Sequence, residues 1–198
     1  MSEPIRAAEA KIDETYYQAT LQKPLHDIYR ILEPHLSPPG VAIDLGCGVG
    51  TATLFLAEKG YRVVAMDRER RALEILASRL EKGMSVDLVQ SEMVEFAIPE
   101  ADVIVAGFSL FFLDQERLKS VWPRLVQSLK PGGLFAGQFL GPHDEWADKG
   151  HALVDSSQLR SMLSEFDLLH FEEVDREGTT SVGKPKHWHV FHVVARKR

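Results

Sequence analysis

The chain has 198 residues, with 23 Lys+Arg against 29 Asp+Glu for a net charge of −6, eight His and one Cys. Its length favours one domain with a full core, and 44% hydrophobic content suits a soluble globular protein. One cysteine excludes a disulfide framework and an all-cysteine metal site, and the acidic balance argues against a protein that tracks nucleic-acid phosphates.

Met1-Ser2-Glu3-Pro4 lacks the basic stretch and apolar core of a secretory leader. The apolar run between Asp102 and Asp114 falls short of the ~20 residues of a membrane span. The expectation is a soluble, cytoplasmic chain. Leu25, Ile28, Tyr29, Leu32 and Leu36 recur at helical spacing, with Pro24 suited to the first turn, and Pro38-Pro39-Gly40 closes this segment. Residues 1–38 are expected to form a helical lid and 41–198 the core of one domain.

From Val41 short apolar runs alternate with helical stretches. Strands are expected at Val41–Leu45, Tyr61–Met66, Ser85–Val89, Ala101–Ala106 and Leu134–Leu140, with helices at Thr51–Glu58, Arg68–Lys82 and after Asp114. That alternation indicates a doubly wound α/β sheet, mostly parallel. Asp155 caps a further helix. Asp167–Val174 and His187–Ala195 read as strands too close for a crossover helix, hence an antiparallel C-terminal hairpin. Arg196-Lys197-Arg198 reads as a solvated strand end.

The first strand turns into the first helix through Asp44-Leu45-Gly46-Cys47-Gly48-Val49-Gly50. In open parallel sheets this turn is a nucleotide-like binding site. A triphosphate needs a lysine after the glycines, and none occurs before Glu58. A dinucleotide needs a third Gly or Ala where this chain has Thr51, and tolerates no acid such as Asp44 beside its pyrophosphate. An acid there suits an ammonium or sulfonium, and S-adenosylmethionine carries both without phosphate. Asp67 closes the second strand where a carboxylate accepts ribose hydroxyls, Glu92 is placed for the adenine amino group, and Met93 for its ring.

These residues, with Gly107-Phe108-Ser109-Leu110 after the fourth strand and Lys130-Pro131-Gly132-Gly133 before the fifth, resemble the class I S-adenosylmethionine-dependent methyltransferases. The stretch Asp44 to Asp67 and the closing Val193 to Lys197 are similar to the tellurite-resistance group of small methyltransferases. The resemblance implies a Rossmann-like sheet of about seven strands with an antiparallel last strand. The cofactor set expected is Asp44, Gly46, Cys47, Gly48, Gly50, Asp67, Arg68, Glu92, Met93 and Phe108; Cys47 fills a tight turn and carries no chemistry.

Methyl transfer demands alignment and desolvation, and a strong nucleophile such as a thiolate or metalloid oxyanion needs no base. The segment after the fourth strand lacks the Asn/Asp-Pro-Pro-aromatic pattern of amino-methylating nucleic-acid enzymes, so the acceptor expected is a small molecule: a thiol, a metalloid oxyanion or a hydroxyl compound. Acceptor contacts are expected from Tyr16, Tyr17, Ser109, His143, Trp146, His187 and His189, with His143 and Tyr17 the candidate catalytic groups. In the resembling group, basic residues of the last hairpin stand near the substrate. Here Lys184, Lys186, His187 and His189 offer weaker charge, which counts against tellurite itself. No metal, membrane or nucleic-acid partner is expected, and the chain is read as a monomer or homodimer. A silent S-adenosylmethionine-binding module and a nicotinamide oxidoreductase are the rival readings.

Overall fold

A computed structural model describes residues 14–198, so the first 13 residues of the expected lid lie outside it. The strands are β1 (Val41–Leu45), β2 (Arg62–Asp67), β3 (Val86–Gln90), β4 (Ala101–Ala106), β5 (Leu129–Leu140), β6 (Phe166–Thr179) and β7 (Pro185–Lys197). The helices are α1 (Glu14–Leu21), α2 (Asp27–Leu32), α3 (Thr51–Glu58), α4 (Arg70–Arg79), α5 (Gln115–Ser128) and α6 (Ser156–Met162). The seven strands form one sheet in the order β3-β2-β1-β4-β5-β7-β6. The first five are parallel; β7 runs antiparallel to both β5 and β6.

Both faces are covered, which is why the central strands are apolar throughout. Val63, Val103 and Ala136 pack with α2 and α3, while Val64, Ile104 and Phe135 pack with α5 and α6 on the other side. No helix among the described residues is long and apolar enough to cross a membrane.

The register aligns the carboxyl ends of β1, β2, β4 and β5 along one edge. Because Leu140 pairs with Val190, residues 185–189 and their β6 partners rise beyond that edge as a two-stranded ribbon. The loop after β5 joins it: Gly141 N–H donates to His189 O at 2.7 Å and Glu145 N–H to His187 O at 3.1 Å.

Some boundaries differ from the sequence reading, each for a local reason. Helix α4 starts at Arg70 rather than Arg68 because the Asp67 carboxylate takes the Glu69 N–H in a turn. Helix α2 starts at Asp27, beyond Pro24, because His26 caps it. Strand β5 begins at Leu129: the pairing jumps from Ala101↔Leu129 to Val103↔Leu134, and Lys130-Pro131-Gly132-Gly133 bulges out between them. The hairpin strands run longer than expected, since the polar residues Asp175 to Thr179 continue the ladder. Lys197 is not solvated; its ammonium takes the Val126 and Leu129 carbonyls at 2.6 and 2.7 Å, closing the end of α5.

Candidate functional site

The glycine turn is shaped by left-handed backbone at Gly46, Gly48 and Gly50 (φ 74°, 52° and 85°). Gly46 and Cys47 both donate to Met66 O, at 2.8 and 2.9 Å, so the turn folds over the end of β2. A Cβ on Gly46 would stand 2.5 Å from Ser109 Cβ, and one on Gly50 2.1 Å from Leu76 Cδ1. Nothing lies within 4 Å of a Cβ built on Gly48, so backbone there faces open space. Asp67 Oδ2 accepts the Gly48 N–H at 2.8 Å and Oδ1 the Glu69 N–H at 2.9 Å. The Asp67 side chain, at the end of β2, remains partly exposed.

Asp44 lies underneath, 2% exposed, and accepts a hydrogen bond from Thr53 Oγ1 at 2.6 Å. Burial, opposed in part by Thr53 and aided by the charge of Asp67, pushes its carboxyl up to about 7. The structure therefore sets Asp44 below the turn, not on its open surface. Burial likewise pushes the Cys47 thiol far up, which keeps it from being a thiolate. Arg68 is exposed beside Glu69, Glu92 is half-exposed at the start of a turn after β3, and Met93 is buried with its methyl near Gly46.

Helix α1 rests against this turn. Tyr17 is buried with Val49, Ala72 and Ile75, and Glu14 pairs with Arg71 at 3.1 Å. Burial raises the Tyr17 phenol to about 12, so it stays protonated at neutral pH.

Phe108, just past β4, carries the left-handed φ of 52°, uncommon for a bulky residue. Its N–H is held by Gln138 Oε1 at 2.9 Å, from a fully buried amide on β5. Around its ring stand His26, Phe111, Trp188 and His192, with centroids 5.4 to 6.2 Å away. His26 and His192 stack on one another at 5.0 Å. Ser109 does not face this chamber with a free hydroxyl, since its Oγ donates to Leu45 O at 2.5 Å. Sequence reading missed His26, Gln138, Trp188 and His192, although a Gln and a His inside apolar strands are a readable signal of buried polar work.

The expected acceptor residues separate into two groups. Alternation along β7 puts Trp188 and His192 on one face and His187 and His189 on the other. Trp146 joins the first face, 5.5 Å from Trp188. There the Lys186 ammonium lies over both indoles, at 4.5 and 3.7 Å, and is paired in the interior with Asp144. Lys186 is thus 1% exposed and is no free cation for a substrate.

On the second face His143 Nδ1 meets Asp175 at 2.8 Å, while His187 bridges Asp175 and Glu177 at 2.7 and 2.9 Å. The donor atoms of His143, Asp175 and His189 lie within 4.8 Å of one another, near enough for a cation. Yet His189 is already satisfied at both nitrogens, by the His143 N–H at 3.1 Å and by Glu173 at 2.9 Å. A cleft of about 380 Å³ lined by His35, Tyr61, Asp102 and Lys130 opens at the opposite end of the strands, away from the glycine turn.

The family model for a methyltransferase domain matches residues 42–133, which run from β1 through the glycine turn to the bulge in β5. Over those residues the chain is similar to the methyltransferase-domain family. Its fold matches TehB from Haemophilus influenzae with a TM-score of 0.77 at 20% identity, covering 92% of this chain and 66% of that one. It also matches magnesium protoporphyrin IX methyltransferase from Synechocystis PCC 6803 with bound cofactor, at a TM-score of 0.66 and 13% identity, over 98% and 88% of the two chains. A carboxy-S-adenosyl-L-methionine synthase of Yersinia pestis (strain Pestoides F) is 29% identical over 156 residues, 67% of this chain and 58% of the relative. The chain thus spans little more than half the length of that relative.

Proposed function

We propose that the protein transfers a methyl group from S-adenosylmethionine to a small nucleophilic molecule in the cytoplasm. The observation that carries this reading is the pairing of open backbone at Gly48 with the partly exposed Asp67 carboxylate beside it. Asp67 would accept the ribose hydroxyls, and Glu92 and Met93 would meet the adenine. Asp44 acts from below, its buried charge favouring a cationic ligand above the turn. When bound, the cofactor supplies an electrophilic methyl on a sulfonium. Phe108, fixed by Gln138, borders the space where the acceptor approaches and excludes water from it. Residues 14–38 serve as a lid, with Tyr17 packed against the glycine turn.

Mass spectrometry of the protein with S-adenosylmethionine and a panel of thiols, selenite, tellurite and phenols tests this. A methylated acceptor together with S-adenosylhomocysteine is expected. Binding without turnover would mark a silent binding module. A carboxylated cofactor with no methylated acceptor would point to the chemistry named for the Yersinia relative.

A further inference from the structure

We infer that the acceptor is a thiolate-type monoanion with an apolar or aromatic body, held by two neutral N–H donors, the Nε2 groups of His26 and His192. This rests on the methyl-transfer reading and adds the acceptor's class and charge state to it.

The tautomers follow from the partners of the other ring nitrogens. His26 caps α2, its Nδ1 accepting the Ile28 N–H at 3.3 Å, so the proton of the neutral ring sits on Nε2. Gln138 spends its Oε1 on the Phe108 N–H, which leaves its amide NH2 toward His192 Nδ1 at 3.4 Å. His192 Nδ1 is therefore an acceptor too, and its proton is on Nε2. Neither Nε2 has a hydrogen-bond partner among the described residues. Burial pushes His192 down to about 4 and lowers His26, so both rings are uncharged at neutral pH.

Two uncharged donors can hold a lone pair but cannot take a proton without giving up the partners of Nδ1. The acceptor must then arrive ionised, which a thiol does near neutral pH far more readily than an alcohol. Phe108, Phe111 and Trp188 supply stacking surface for its body. Burial outweighs the mixed charges around the two rings. Glu172 faces both rings but lies 3.5 Å from His170, Arg176 faces His192 from β6 without an ion pair among the described residues, and Asp27 and Lys23 flank His26. In the step, the thiolate sulfur forms the bond to the methyl carbon and the carbon–sulfonium bond breaks, its electron pair staying on the departing sulfur. Two neutral thioethers result and no proton moves.

The test combines nitrogen-15 spectra of the imidazoles with turnover of thiophenol and phenol. Both rings are expected in the Nε2–H form at pH 7, and kcat/KM for thiophenols is expected to follow the pKa of each thiol. His192→Gln, which keeps an N–H donor, should raise KM severalfold and leave that pH midpoint in place. His192→Phe, which removes the donor, should raise KM at least about tenfold. An Nδ1–H ring, phenol methylated as fast as thiophenol at pH 7, or a pH midpoint that vanishes in His192→Gln would overturn the proposal. Calorimetry with S-adenosylhomocysteine before any acceptor is added tests the underlying reading separately, since it involves neither histidine.

Discussion

Gly48 donates its backbone N–H to Asp67 Oδ2 at 2.8 Å, tying the turn after β1 to the end of β2. The same carboxylate starts α4 by accepting the Glu69 N–H. One side chain thus braces both walls of the proposed cofactor groove. It keeps lone pairs to spare for ribose hydroxyls, because each oxygen accepts only one of these bonds.

Two glycines of the turn should respond differently to alanine. Gly50→Ala forces a Cβ to within 2.1 Å of Leu76 Cδ1 at a left-handed φ and should cost about 3 kcal/mol or more of stability. Gly48→Ala meets no neighbour and should cost only about 1–2 kcal/mol for its backbone conformation. Its methyl nevertheless occupies the open face, so cofactor affinity should fall much further than stability. Denaturant melts and calorimetry of the two variants check both halves.

Asp44 makes a pH prediction. Its folded pKa of about 7 stands above the ordinary 3.8, so the native state binds more protons than the unfolded chain between those values. Stability should therefore fall, by about 2–4 kcal/mol from this group, as pH rises from about 4 to about 7. Asp44→Asn keeps an acceptor for Thr53 but cannot ionise. The difference in unfolding free energy between variant and wild type should grow with pH across that window and level off above it.

The alternation from Val41 to Ala106 was legible because apolar runs are bounded by glycines and by helical stripes, and the glycine turn lies within one strand-turn-helix unit. The chamber was not. His26 precedes the sheet and His192 lies in the last strand, and only the packing of α2 against β5 and β7 stacks them. His187 and His189 were within view and Trp188 between them was not, because which face meets Phe108 depends on the register of β7 against β5. The pairing of Asp144 with Lys186 in the interior is likewise a tertiary fact.

Helix α1 contacts the glycine turn through Tyr17, so ligand binding should steady it. Amide exchange over Glu14–Leu21 is expected to slow with S-adenosylhomocysteine. Unchanged rates would remove the lid from the account.

The Lys186–Asp144 pair should behave as a buried ion pair does. Lys186→Met leaves an uncompensated carboxylate and should destabilise by about 3–5 kcal/mol, while the double variant with Asp144→Asn should recover part of that loss. Because Asp144 also accepts the Trp146 and His189 N–H groups at 2.9 and 3.1 Å, the single change should loosen the loop over the chamber as well. A urea-denaturation double-mutant cycle measures the coupling.

Calorimetric titration of S-adenosylhomocysteine into the wild type and Asp67→Ala, each verified as folded by circular dichroism, tests the central claim most directly. The wild type should bind, and the variant should lose at least about tenfold in affinity, near 1.4 kcal/mol. No binding by the wild type, or equal affinity in the variant, would contradict the cofactor site described here.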